Sequence, residues 1–204
     1  MSHKNLLLLF VRAPELGKVK TRLAQAVGPE VALEIYIHLL QHTRQVTEKL
    51  AADKAVYFAD NIVDDGMWPK QIYQHHLQTE GDLGQKMQTA FEEAFAAGYS
   101  SVVIIGSDCK QLTQEIIEQA FEALQTHEVV IGPALDGGYY LLGMNKLYPE
   151  LFRDKQWSTS EVLPATIYDV ERLHLSHKLL PELSDVDHVE DVDFDWLTGE
   201  DHEL

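Results

Sequence analysis

The sequence predicts an α/β sandwich, three layers deep, with a mostly parallel but mixed central sheet. Three observations predict it. Short apolar or β-branched runs alternate with longer amphipathic stretches along most of the chain. The two strongest apolar runs end in loop residues, Arg12-Ala13-Pro14 and Gly106-Ser107-Asp108. The link from Gly132 to Tyr139 is too short for a crossover helix, so that part of the sheet departs from simple parallel winding.

Lys4 to Val11 reads as a buried strand. A helical pattern runs from about Thr21 through Leu50, broken near Gly28-Pro29, with Val31, Ile35, Leu39 and Leu40 at helical spacing. Ala55 to Ala59 is a second strand and Ile72 to His76 a third. Asp82 to Ala97 reads as a helix ended by Gly98, with Met87, Phe91 and Phe95 on one face. Val102 to Ile105 is β-branched and hence a buried strand. A helix from about Thr113 to Gln125 precedes the strands Val129 to Gly132 and Tyr139 to Gly143. The pattern weakens after Pro149. The acidic stretch Lys178 to Leu204 holds a short helix around Val189 to Leu197. No repeat, linker or boundary divides the chain, so one domain over 1–204 is expected.

The 204 residues are 45% hydrophobic and 24% charged, an ordinary globular composition that excludes general disorder. Cys109 is the single cysteine, which excludes a disulfide scaffold. No apolar run approaches the ~20 residues of a membrane span, and Leu6 to Val11 lacks the features of a signal segment. A cytoplasmic location is therefore expected. The formal net charge of −17 repels nucleic acid and anionic membrane, so neither is an expected partner. It leaves room for a small anion in a local basic pocket.

Such a pocket has a candidate. The segment from Arg12 to Arg22 gathers Arg12, Lys18, Lys20 and Arg22 between the first strand and the first helix, where α/β proteins bind ligands. A helix N-terminus there suits phosphate, and Thr21 can cap the helix or donate to a phosphate oxygen. A solvated basic loop balancing an acidic protein accounts for the same residues. The segment is neither a Walker loop nor a Rossmann fingerprint. Asp108 closes the strand ending at Gly106-Ser107, where hard oxygen donors suit Mg²⁺ or Mn²⁺ shared with phosphate. A turn or helix-capping role is the competing explanation. Asp136-Gly137-Gly138, followed by Tyr139, either shapes a pocket wall or forms an ordinary turn. Cys109 has no histidine fixed near it by sequence. His38 and His42 share a helical face without the H-E-x-x-H pattern and read as surface residues. Asp185 and Asp187 fall in an acidic stretch that is either solvated or a source of metal ligands.

Taken together, the segments resemble a known family. The pieces are Phe10 to Ala24, Gln78 with Gly81 to Met87, Gly106 to Cys109, Gly132 to Tyr139, Trp157 to Thr159, and Leu183 to Asp187. As a set spanning nearly the whole chain, they resemble small bacterial GT-A-type glycosyltransferases found beside radical-SAM genes and assigned to arsenosugar biosynthesis. They are similar, more distantly, to phospholactate guanylyltransferase and the molybdenum-cofactor nucleotidyltransferases. The resemblance implies a nucleotide-diphospho-sugar transferase fold. It implies nucleotide phosphates on the loop from Arg12 to Arg22, with Gly106 and Ser107 beside them. It implies base and ribose near Gly81, Asp82, Gly84 and Lys86, and metal on Asp108 with Asp187. Two departures stand out: Lys110 replaces the family's proline, and Lys86 replaces its arginine, which keeps charge but loses bidentate geometry.

The function expected on this basis is transfer of a sugar from a nucleotide-diphosphate donor to a small acceptor, assisted by Mg²⁺ or Mn²⁺. Asp136 is the candidate to orient or deprotonate the acceptor hydroxyl, with Gly137, Gly138, Tyr139 and Trp157 lining the acceptor side. The first alternative is a nucleotidyltransferase that uses a nucleoside triphosphate and releases pyrophosphate. The loop's single Gly17, in place of a glycine-dense Gly-x-Gly-x-Arg segment, weighs against it. The second alternative is a nucleotide-binding protein without turnover. The donor nucleotide, the acceptor and the oligomeric state are not readable from the residues.

Overall fold

A computed structural model describes residues 4–192. The first strand explains the architecture. In β1 (Asn5–Val11) every second side chain faces the same way, and both faces are apolar. Leu7, Leu9 and Val11 enter one core, whereas Leu6 and Leu8 enter another. A strand buried on both sides needs cover on both sides, so helices flank the sheet above and below. The first core is closed by α2 (Pro29–Thr47) through Tyr36 and Leu40 and by α4 (Gln114–Ala123) through Ile117 and Phe121. The second is closed by α3 (Leu83–Ala96) through Met87 and Phe91 and by α5 (Val162–Arg172) through Val170.

The remaining strands are β2 (Asp53–Phe58), β3 (Tyr73–Leu77), β4 (Ser101–Ile105), β5 (Val129–Pro133), β6 (Tyr139–Met144) and β7 (His177–Leu179). They form one seven-stranded sheet in the order β3-β2-β1-β4-β6-β5-β7. All neighbouring pairs are parallel except those of β6, which runs antiparallel to both β4 and β5. The short Gly132–Tyr139 link is therefore a hairpin, and the mixed sheet expected from its length is the one observed.

Local chemistry sets the element boundaries. The first helical stretch breaks where the sequence indicates: α1 (Thr21–Val27) ends at Gly28, whose φ of 86° only glycine adopts readily, and Pro29 opens α2. Asp82 caps α3 by accepting from Gln85 N at 2.8 Å, while Gln85 returns the bond to Asp82 N at 3.0 Å. Two elements have weak signals in the sequence. Helix α5 carries Pro164 in its first turn and buries Thr166, whose hydroxyl bonds back to Val162 O at 2.8 Å. Strand β7 is a three-residue edge with little burial. Of the short helix expected over Val189 to Leu197, the structure describes a 3-10 turn at Val189–Asp191; the rest lies outside the described residues.

Gly84 shows how closely the layers approach. A Cβ there would lie 2.4 Å from Phe152 O and 2.6 Å from the Trp157 ring. Helix propensity alone favours Ala over Gly by about 1 kcal/mol. Gly84→Ala should nevertheless destabilise the protein, by about 1–3 kcal/mol, because the contact overpacks a buried helix. Urea denaturation reads the sign directly: a gain in stability would show that the 152–157 segment yields freely.

Candidate functional site

The order of the sheet places the site. The chain leaves β1 for β2 on one side, while β4 lies on the other, so a crevice opens beyond their carboxyl ends. Into it run the loop that follows β1 and the Gly106-Ser107-Asp108 turn that follows β4. Tyr36, buried on α2, pins both. Its hydroxyl accepts Arg12 N–H at 2.9 Å, donates to Arg12 O at 3.2 Å, and lies 3.4 Å from Ser107 Oγ. Burial raises its pKa, so it stays a neutral phenol that can do both.

A third segment completes the crevice. Residues 180–188 do not trail into solvent but cross the sheet's carboxyl edge. Leu180 N bonds Ile131 O at 2.9 Å, Leu183 N bonds Pro133 O at 3.1 Å, and Val186 N bonds Asp108 O at 2.9 Å. This delivers Asp185 and Asp187 beside Asp108. The Lys20 ammonium sits between two of these carboxylates, 2.8 Å from Asp108 Oδ1 and 3.0 Å from Asp187 Oδ1, with its side chain only 6% exposed. Arg22 approaches the other Asp187 oxygen at 3.7 Å. Burial works against charge on Lys20, but Asp108 and Asp187 outweigh it and hold its pKa above the ordinary value. At Asp185 the balance runs the other way. Burial, and then the charges of Asp108 and Asp136, push its carboxyl up to about 7, against the pull of Lys20.

The cleft has a volume of about 670 Å³, within the range of small-molecule sites. One end carries the charged groups. The other is apolar, walled by Phe10, Leu83, Met87, Tyr139 and Trp157. Trp157 belongs to a segment fastened to α5 by the buried pair Lys155–Asp169.

Of the residues singled out in the sequence, Arg12, Lys18, Lys20, Thr21, Arg22, Gly106, Ser107, Asp108, Asp136, Gly138, Tyr139, Trp157 and Asp187 all line this one cleft. Four lie outside its lining. Asp82 is engaged in the α3 cap, Gly81 precedes it with a φ of 118°, Gly84 packs under Trp157, and Gly137 packs against Ser160. From the segment between Gln78 and Met87 the lining residues are Gln78, Leu83, Lys86 and Met87. Helix α1 has only 7 residues, so the cations of the loop, rather than a helix dipole, dominate the field felt by an anion. Sequence reasoning missed Tyr36, which looks like any core tyrosine, and gave Asp185 no role of its own. The Asp-x-Asp spacing of 185 and 187 was the available signal for the latter. Cys109 is buried, its thiol pushed up to about 12 by that burial, which leaves it inert near neutral pH. His42 bonds Leu112 O at 2.9 Å on the α2 side.

A mixed sheet in this order, with a cationic loop and a carboxylate at its switch point, defines the nucleotidyltransferase and nucleotide-diphospho-sugar transferase class of α/β sandwich. Within it, residues 39–159 match the family described as "uncharacterized protein conserved in bacteria (DUF2064)", and the chain belongs to that family. It is similar, at 34% identity and a TM-score of 0.88, to a Desulfovibrio desulfuricans G20 protein provisionally assigned as a nucleotide-diphospho-sugar transferase; the match covers 100% of this chain and 90% of that one. It shares the fold of the T. maritima inositol-1-phosphate CTP transferase (9% identity, TM-score 0.62, covering 97% and 96% of the two chains). It also shares the fold of a Leptospira borgpetersenii cytidylyltransferase (13%, 0.59, covering 93% and 84%). No curated protein matches the sequence.

The strained carboxylate yields a test. A carboxyl whose folded pKa is about 7 favours the folded state only while protonated. Its ionisation therefore costs stability progressively from about pH 4, the unfolded value, up to pH 7. Asp185→Asn should raise Tm by about a few degrees at pH 8 in chelator-treated buffer, and by less at pH 5. An equal shift at both pH values would show that the like-charge crowding is absent.

Proposed function

We propose that the protein transfers a sugar from a nucleotide-diphosphate donor to a small-molecule acceptor with the help of Mg²⁺ or Mn²⁺, acting as one domain over residues 1–204 in the cytoplasm. The observation that carries this reading is the meeting of a cationic loop and a pair of carboxylates at the switch point of the sheet. The 34% identity to the Desulfovibrio protein supports transferase chemistry on nucleotide sugars.

The residues fit a divalent cation. Their donors are hard carboxylate oxygens, and Asp108 and Asp187 already converge on one stand-in cation, the Lys20 ammonium. Among the described residues no group of three or more His, Cys, Asp or Glu side chains has metal-holding geometry. Mg²⁺ needs only one or two protein carboxylates when substrate phosphates and water complete its shell. When bound, the metal neutralises charge that grows on the departing diphosphate. Arg12, Lys18 and Arg22 line the same end of the cleft and bind the phosphates, with Thr21 donating beside them. Tyr36 keeps Arg12 and Ser107 in register. The base and ribose extend toward Gln78 and Lys86. Tyr139, Trp157 and Gly138 shape the acceptor side. Asp136 holds the acceptor hydroxyl there: its Oδ1 accepts Gly138 N–H at 2.8 Å, which fixes the carboxylate at the cleft. The radical-SAM and arsenosugar association enters this proposal only as a choice of acceptors to assay.

Nucleotidyl transfer is the second reading, favoured by the fold shared with two proteins that are named for cytidylyl or CTP transfer. The loop with Gly17 alone supports the first.

Turnover separates the two. The protein incubated with nucleotide sugars and Mn²⁺ should release nucleoside diphosphate. Asp108→Asn should lower kcat by about a hundredfold or more, and Asp136→Asn should lower turnover without weakening donor binding. Pyrophosphate release from a nucleoside triphosphate would establish the second reading. A donor at about 100 times its Kd should add ~2.7 kcal/mol of stability, visible as a thermal shift. No shift with any nucleotide would overturn the phosphate-loop argument.

A further inference from the structure

We propose that Lys20 is the resident counter-ion of the Asp108–Asp187 pair in the ligand-free protein, competing directly with divalent metal for the same oxygens and turning to phosphate only when nucleotide arrives. This rests on the metal-dependent reading above. Three features of the site carry it. First, the ammonium already spans the two carboxylates, 2.8 and 3.0 Å away, with 6% of the side chain exposed, so it occupies the point where a shared cation would bind. Second, Lys20 holds φ 46° and ψ 45°, a left-handed conformation that glycine adopts readily and lysine does not. At this position its carbonyl accepts Ala24 N–H at 2.8 Å while its side chain makes the two ion pairs. Third, among the described residues no other cation lies so deep in the pair: Arg22 is 63% exposed and reaches only Asp187, at 3.7 Å.

A divalent ion and an ammonium cannot both sit a few ångströms apart between two carboxylates without strong repulsion. Metal alone must therefore displace Lys20 from both of its ion-pair partners, into a cleft whose other lining carboxylates are Asp136 and Asp185. A diphosphate supplies a more highly charged anion. It gives the ammonium a partner on the same loop and frees the carboxylates together. Metal and nucleotide then bind with positive coupling, each strengthening the other by the same factor. In this scheme Lys20 keeps the carboxylates from ionising unpaired while the cleft is empty, and it keeps stray divalent ions out of a half-assembled site.

The test is Mn²⁺ binding to the nucleotide-free protein, read from the EPR signal of free Mn²⁺, for the native chain, Lys20→Met, Lys20→Gly and Asp108→Asn. Lys20→Met removes the charge at similar length, and Lys20→Gly suits the left-handed backbone. Both should bind Mn²⁺ tighter than the native chain by about tenfold or more. Mn²⁺ should also raise their Tm more than that of the native protein, with folding checked by circular dichroism. Equal or weaker Mn²⁺ binding in the Lys20 variants, with binding still lost in Asp108→Asn, would overturn the competition while leaving the metal reading intact. Absence of Mn²⁺ binding in every nucleotide-free chain would overturn the competition, and absence of Mn²⁺ binding with a nucleoside diphosphate also present would overturn the metal reading as well. Lys20 variants that stay unfolded at saturating Mn²⁺ would also overturn the competition, because the metal would then be unable to replace the ammonium.

Discussion

The Lys20 ammonium held between Asp108 and Asp187 is the interaction on which the cleft depends. Its three partners come from three distant parts of the chain: the loop after β1, the turn after β4, and the segment that crosses the sheet edge near residue 187. Without a positive charge at that point, Asp108, Asp185 and Asp187 would face one another in a partly buried space. Two unit charges 4 Å apart repel by about 4 kcal/mol at an effective dielectric near 20. Burial, and then the charges of Asp108 and Asp136, raise the pKa of Asp185 even with Lys20 present.

The sheet supplies the rigid frame for this arrangement. β1 and β4 are buried on both faces and pair in parallel register from Asn5–Ser101 to Leu9–Ile105, so their carboxyl ends are fixed together. Tyr36 then converts that frame into loop geometry by bonding both polar groups of the Arg12 backbone. The overall net charge of −17 disfavours polyanions at the surface, while a few cations are concentrated at the crevice. Tyr139 and Trp157 add an apolar wall to the same cavity.

Much of this was legible in the residues. Continuous apolar runs marked β1, β2, β4, β5 and β6, Gly28-Pro29 marked the break between α1 and α2, and the short link after Gly132 marked a departure from simple parallel winding, which the structure shows to be an antiparallel hairpin. The cationic loop and Asp108 could be assigned to one edge because both follow buried strands. What remained hidden depends on contacts distant in sequence. Strand β7 has no pattern of its own and exists because β5 offers it an edge. The stretch after Leu180 carries no periodic pattern and leaves Asp185 and Asp187 as either solvated residues or metal ligands; its backbone bonds to Ile131, Pro133 and Asp108 are what bring it to the cleft. Tyr36 is indistinguishable from a core residue until its hydroxyl is seen to lie under Arg12. Gly84, chosen for a nucleotide role, proved to make room for Trp157.

The central claim is that one point between Asp108 and Asp187 receives a cation together with a nucleotide diphosphate. Anomalous diffraction from crystals grown with Mn²⁺ and UDP or GDP addresses it most directly. The account predicts a manganese peak liganded by both carboxylates and by phosphate oxygens, with the Lys20 ammonium moved onto the diphosphate. A diphosphate bound elsewhere, or one bound in the cleft with Lys20 still bridging the two aspartates and no manganese beside it, would contradict it.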